Sequence, residues 1–257
     1  MRYLSFCLFI LALSINALVV PPPGIPRPNP PRGGRFSSPL QNNDPESISG
    51  QNQTGNILKK VTQGSYSTNW AGAVLSNSTP SATFSYISAT ITIPTPTATG
   101  NTSYHAASAW VGIDGVTYTT AILQTGVDIY MLNDQAYADP WYEWYPNYAR
   151  YYDEILVPPG DVTLRRSMLL RATMGAPKST ATIKGLNVEW IVENLKSDEA
   201  AVPFVEFNKV KFTGCVAKAA GDQFGVANAT VYDLVIGDEV MTMVSVIGDK
   251  EMVVTRL

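Results

Sequence analysis

Three short stretches of this chain set polar side chains among residues suited to a core. In Ala121-Ile122-Leu123-Gln124-Thr125-Gly126-Val127-Asp128, a period of two puts Ile122, Gln124, Gly126 and Asp128 on one face, so an amide and a carboxylate line up across a gap. In Trp141-Tyr142-Glu143-Trp144-Tyr145-Pro146, the residues Trp141, Glu143 and Tyr145 share a face, and rings flanking a carboxylate suit a groove that grips an extended ligand. In Val188-Glu189-Trp190-Ile191-Val192-Glu193, alternation separates Glu189, Ile191 and Glu193 from Val188, Trp190 and Val192. Glu193 ends that run, where it can meet a cleft. Taken singly, a Gln or Glu on a strand is more often a solvated outer-face residue. A strip of aromatics with carboxylates equally suits a sugar-binding groove, so spacing alone does not choose a chemistry.

The remaining residue types narrow the choice. No HExxH stretch or paired Cys/His set is present to hold zinc, so neither a metal nor any other cofactor is expected. The single histidine, His105, argues against a Ser-His-Asp triad. Of two cysteines, Cys7 lies in the N-terminal leader and Cys215 is alone in the rest, which excludes an intrachain disulfide there and favours a buried, inert thiol. Asp114-Gly115 lacks the D-[ST]-G form of an aspartic-protease motif. Acid and base work therefore falls to carboxylates.

These groups need strands to position them, and composition supplies the material. The 257 residues are 45% hydrophobic and only 15% charged, with 13 Tyr, 8 Phe and 5 Trp, enough for a substantial core. A net charge of −3 without any Lys/Arg-rich run gives no footprint for nucleic acid. Residues 1–17 carry an N-terminal Met1-Arg2, an apolar run from Leu4 to Leu13 and a small, polar end, the layout of a secretory signal peptide. That run is too short to span a bilayer, and no later segment is long enough, so no membrane association of the mature form is expected. Residues 18–60 are rich in Pro, Gly, Ser, Asn and Gln and close on Lys59-Lys60, which reads as a disordered or extended pro-segment. The catalytic domain is then 61–257. Sequons at Asn52, Asn77, Asn101 and Asn228 fit a secreted, extracellular glycoprotein; a monomer is expected.

From about Thr62 onward, short runs alternate with a period of two between Gly, Pro, Asn and Asp. In Tyr86–Ile93, the side chains of Ile87, Ala89, Ile91 and Ile93 point one way and Ser88, Thr90 and Thr92 the other. Similar runs are predicted at 109–113, 120–130, 141–145, 162–174, 180–193, 203–212, 229–236, 239–246 and 251–256, with no helical stripe. The expected fold is all-β, a two-sheet antiparallel sandwich of jelly-roll type.

Taken together, Ser67-Thr68-Asn69-Trp70-Ala71-Gly72-Ala73, AWVGIDG (109–115), TAILQTGVD (120–128), WYEWYP (141–146) and VEWIVE (188–193) resemble, in this order, the glutamic peptidases, or eqolisins, of fungi. The resemblance runs from about Ser65 to Leu257. It implies a concanavalin A lectin-like sandwich with a substrate groove on one concave sheet, a polypeptide substrate, Gln124 and Glu193 as the catalytic pair, and Trp70, Trp110, Asp114, Asp128, Trp141, Glu143 and Tyr145 lining or supporting the groove. On this reading Glu193 takes a proton from a water that attacks the scissile carbonyl, and Gln124 donates to the oxyanion. An acid optimum follows from a carboxylate base. The chain departs from the family pattern at Tyr118, where relatives often anchor a disulfide, and at Asn194-Leu195-Lys196-Ser197, where they tend to be acidic and aromatic. A glycan-binding or glycan-cleaving sandwich pairing Glu143 with Glu189 or Glu193 is the competing expectation, followed by a paralogue that binds peptides without cutting them.

Overall fold

The computed structural model describes residues 12–15, 35–43, 64–76, 83–152, 157, 166–169, 181–197 and 200–257. Strands and turns make up this part of the chain, with no helix among the described residues. A ten-stranded sheet runs, in spatial order, through Arg150–Tyr151, Gln135–Tyr145, Ile122–Leu132, Tyr104–Ile113, Asn187–Glu193, Trp70–Ser76, Thr230–Ile236, Ser65–Ser67 and Asn42–Asn43, with Glu239–Val240 attached to Thr230–Ile236. Only the pairing of Ser65–Ser67 with Thr230–Ile236 is parallel. A five-stranded sheet of Phe84–Thr92, Lys209–Ala219, Asp222–Phe224, Thr242–Val246 and Glu251–Arg256 packs against it. Ala12–Ile15 and Arg166–Leu169 form a separate antiparallel pair.

Alternation explains why two sheets suffice. Ala107, Ala109, Val111 and Ile113 of the first sheet, with Val188, Trp190 and Val192, meet Ile87, Ala89, Ile91, Phe212 and Val254 of the second in one continuous core. Burial of such apolar surface, at about 25 cal/mol per Å², is the main stabilising term where no disulfide is available. The other face of the ten-stranded sheet carries a second cluster of Trp70, Val74, Trp110, Ile122, Trp141 and Ile191. It is this second face that bears the polar residues singled out by sequence.

The all-β sandwich therefore matches expectation, with local differences in where strands begin and end. The run expected at 203–212 is a strand at Lys209–Ala219 instead, because Pro203 interrupts regular pairing and Gly214, at φ 62°, lets the strand bulge and continue. The run expected from 180 begins at Asn187, since Gly185 (φ 68°) turns against the Phe84 carbonyl, where a Cβ would lie 2.3 Å away. Of 162–174, only Arg166–Leu169 lies within the described residues. Residues 35–43, expected to be disordered or extended, are extended and held in place, their short strands pairing with Lys196–Ser197 and Ser65–Ser67. Composition underestimates order here because the partners that fix this segment come from elsewhere in the chain. Lys59-Lys60 and the sequons at Asn52 and Asn77 lie outside the described residues, while Asn101 and Asn228 are exposed.

Candidate active site

Strand register builds the site in three rows across the sheet. Glu143 pairs with Gln124, Gln124 with Gly112, and Gly112 with Glu189. The next row is Trp141, Gly126, Trp110, Ile191 and Gly72. The third is Asp139, Asp128, Ser108, Glu193 and Trp70. Gly126 sits between two tryptophans, and a Cβ there would stand 2.4 Å from the Ala109 carbonyl oxygen and 2.5 Å from Trp110 Cβ. The gap noted in the sequence is therefore closed by the backbone of the neighbouring strand and the root of the Trp110 side chain, while the Trp110 indole lies over Gly112. Trp70 and Trp110 meet edge to face at 5.0 Å between centroids, a geometry favoured by ring quadrupoles.

Glu193 is buried, with Oε2 accepting a hydrogen bond from Trp110 Nε1 at 3.0 Å and Oε1 accepting one from the Ser38 N–H at 3.1 Å. Burial raises its carboxyl above the usual range, while Arg35 and these donors pull it back. Gln124 is also fully buried, and neither its amide nitrogen nor its oxygen has a hydrogen-bond partner within the protein. An amide in that state can still donate to an incoming oxygen. Glu189 lies in the same row as Gln124, buried and unpartnered. Burial first and then neighbouring Asp114 hold its carboxyl well above the usual range, and unlike Glu193 it has no cation or donor beside it to favour the ionised form.

A cation sits among the other carboxylates. Arg35 Nη1 lies 2.7 Å from Glu143 Oε2, Nη2 lies 3.3 Å from Asp128 Oδ1 and donates to Ser108 Oγ at 2.9 Å, and the guanidinium stacks 3.7 Å from the Trp141 ring centroid. Tyr151 donates to the second oxygen of Asp128 at 2.7 Å. Burial pushes the Glu143 carboxyl up to about 8 against the pull of Arg35 and of the Ser37 N–H; burial likewise raises Asp128. The backbone of 35–43 is held along its length: Ala149 donates to the Arg35 carbonyl at 3.0 Å, Asn69 Nδ2 to the carbonyls of Ser38 (3.1 Å) and Pro39 (2.9 Å), and Leu40 to the Gly115 carbonyl at 3.0 Å.

Most of the residues picked out by sequence thus share one face. Trp70, Trp110, Trp141, Asp128, Glu143, Gln124 and Glu193 lie in the three rows, and Tyr145 packs against the aromatic cluster from the sheet's edge. Asp114 stands apart: at φ 69° its carboxylate accepts backbone N–H bonds from Lys184, Gly185 and Leu186, so it anchors a turn behind the groove. Arg35, Ser38, Asn69, Ser108 and Tyr151 were missed. Arg35 and Ser38 carry no sequence signal, whereas Asn69 was visible inside the Ser67–Ala73 motif. His105 bonds Thr99 and Thr102, away from Cys215, whose thiol burial pushes up to about 12. Neither residue is placed to act as nucleophile or base for the other.

Comparison with known proteins agrees with this arrangement. The Peptidase A4 family profile matches residues 68–165 and 169–256. Aspergillopepsin-2 of Aspergillus niger is 34% identical over 243 residues, spanning 81% of this chain and 85% of its own. Scytalidopepsin B of Scytalidium lignicola is 34% identical over 204 residues, 70% of this chain and 75% of its own. A crystal structure of scytalido-glutamic peptidase with a peptide-based transition state analog superposes with a TM-score of 0.61 at 28% identity, covering 74% of this chain and 98% of that one.

Proposed function

Since this chain belongs to the Peptidase A4 family, the glutamic peptidases, and is thereby a peptide hydrolase, we propose that it is a secreted acid endopeptidase in which Glu193 is the general base and Gln124 the oxyanion donor. The observation that carries this is the pairing of two buried groups on one face: a carboxylate oriented by Trp110 Nε1 at 3.0 Å and an amide with no protein partner. Glu193, ionised, accepts a proton from a water. That water attacks the scissile carbonyl carbon, and the Gln124 amide N–H donates to the oxygen as charge develops on it. Glu193 then returns the proton to the leaving amine. One preorganised donor of this kind is worth about 3 kcal/mol of barrier, a hundredfold or more in rate. Trp70, Trp110, Trp141 and Tyr145 supply apolar walls for an extended polypeptide, and Asp128 and Glu143 supply anionic ground.

The same reading divides the chain into a signal peptide at 1–17, a removable pro-segment at 18–60 and a catalytic domain at 61–257. Exposed Asn101 and Asn228 suit glycosylation during export. In the row Glu143, Gln124, Gly112, Glu189, an amide stands between the two carboxyls, which counts against a carbohydrate-cleaving pair at Glu143 and Glu189. Digestion of casein or haemoglobin across acid pH, repeated with Gln124→Ala and Glu193→Gln, tests the proposal. Both variants should lose nearly all activity while keeping wild-type circular dichroism; full activity in either removes that residue from the reaction.

A further inference from the structure

Asn69 carries a buried amide at the edge of the groove, 4% exposed, and its own strand fixes which way that amide faces. Ser67 Oγ donates to Asn69 Oδ1 at 3.0 Å and accepts from the backbone N–H groups of Asn69 (3.2 Å) and Trp70 (3.0 Å). The Asn69 carbonyl accepts at 2.9 Å from the N–H of Asn194, the residue after Glu193, and Trp70 pairs with Glu193 across the strands. The side chain is thus tied to the strand end that carries the base. With its oxygen engaged by Ser67, the NH2 group is turned into the groove.

What the amide meets there is main chain. Nδ2 donates to the carbonyls of Ser38 at 3.1 Å and Pro39 at 2.9 Å, and Oδ1 also accepts from the Gln41 N–H at 2.9 Å. The Ser38 N–H itself donates to Glu193 Oε1 at 3.1 Å. One side chain therefore bonds three consecutive peptide groups, starting at the residue that faces the base. Every residue offers a backbone carbonyl and every residue but proline an N–H, so these bonds are available to an extended chain of almost any sequence.

We infer that Asn69 is a substrate-positioning residue, whose carboxamide clamps the substrate main chain to one side of the scissile bond and so sets its register against Glu193. The inference rests on the proposed role of Glu193 and on the departure of Ser38–Gln41 with the proposed pro-segment. Ser67 and Asn194 belong to the catalytic domain, so the amide keeps its orientation when that segment goes. A buried NH2 without acceptors is costly, and the carbonyls of an incoming polypeptide satisfy it. Contacts of this kind, made away from the reacting carbonyl, raise kcat/KM by fixing orientation. The substrate class follows: unfolded polypeptide that extends several residues beyond the scissile bond, read by its backbone.

The test is kcat/KM in acid for peptides that share one scissile bond and are lengthened a residue at a time at either end, using the full chain as secreted. In the wild-type protein, lengthening at one end should raise kcat/KM as the added carbonyls reach Asn69. Asn69→Ala should cut that gain, the ratio of longest to shortest peptide, by about fivefold to a hundredfold, the range for two neutral hydrogen bonds. The gain from the other end should persist. Asn69→Asp sets an O–H where an N–H stood. In acid it should keep part of the gain, and lose it as the new carboxyl ionises against the substrate carbonyls, so that activity on the longest peptide falls at lower pH than activity on the shortest. Should Asn69→Ala not fold, Ser67→Ala, which frees the amide to turn, should show the same one-ended loss in smaller measure. No gain in the wild type, a gain that these variants leave intact, a loss equal at every length, or an Asn69→Asp profile independent of length each overturns the clamp. Activity that survives in Glu193→Gln instead refutes the catalytic assignment, so the two failures are distinguishable.

Discussion

Replacing Trp110 by phenylalanine removes one hydrogen atom's worth of chemistry from the base while leaving a ring in its place. Trp110 Nε1 donates to Glu193 Oε2 at 3.0 Å, whereas on the proposed removal of residues 18–60 the Ser38 N–H and Arg35 go with that segment. Trp110 is then a partner of the carboxylate that stays with the catalytic domain. A hydrogen bond to an ionised group is worth about 1.5–3 kcal/mol, and it favours the charged form only. The sign follows: without the donor the Glu193 carboxyl rises further, so the base is ionised only at higher pH and the acid limb of kcat/KM moves toward neutrality. Truncating the buried indole also costs about 1–2 kcal/mol of packing, and the edge contact with Trp70 at 5.0 Å is weakened. The two effects separate by assay, since packing loss lowers the melting temperature at all pH values whereas the lost donor shifts the kcat/KM profile. An acid limb that stays in place, or moves to lower pH, refutes the role given to this bond.

Two further outcomes follow from the packing. Gly126→Val sets a Cβ against the Ala109 carbonyl and Trp110 Cβ, at 2.4 and 2.5 Å from an ideal position; backbone cannot yield there, so thermal unfolding should show a loss of several kcal/mol, about 3 or more, or no folded protein. Asp233, buried beside the Val244 N–H at 2.7 Å, has its carboxyl pushed up to about 6. A raised carboxyl binds its proton more tightly in the native state, so stability declines as pH rises between about 4 and 6. Asp233→Asn should flatten that decline and raise the melting temperature near neutral pH by a few degrees, about 2–4 °C, with little change in acid.

Much of this face was legible because a strand reports its own two sides. Alternation alone placed Gln124 with Asp128 and Trp141 with Glu143, and the structure keeps those groupings on the face away from the second sheet. It could not say which strands are neighbours, and the row of Glu143, Gln124, Gly112 and Glu189 depends on pairing between residues far apart in sequence. Arg35 shows the sharper limit. Nothing in its Gly- and Pro-rich setting marks it, since its order comes from Glu143 and Asp128 more than ninety positions later. Lys209–Ala219 was misplaced for a local reason, as Gly214 reads like a turn but serves as a bulge. Asp114, expected to line or support the groove, accepts hydrogen bonds from the backbone of 184–186, which no residue pattern announces.

The catalytic assignment is tested most directly by a double-mutant cycle on kcat for one peptide in acid, comparing Gln124→Ala, Glu193→Gln and the two combined. If one water, deprotonated by Glu193, attacks a carbonyl whose oxygen Gln124 holds, each single variant should fall by at least about a hundredfold, and the double variant should be no worse than the less active single one. Losses that multiply, or full activity in either single variant, would mean that Gln124 and Glu193 do not act on the same reaction centre.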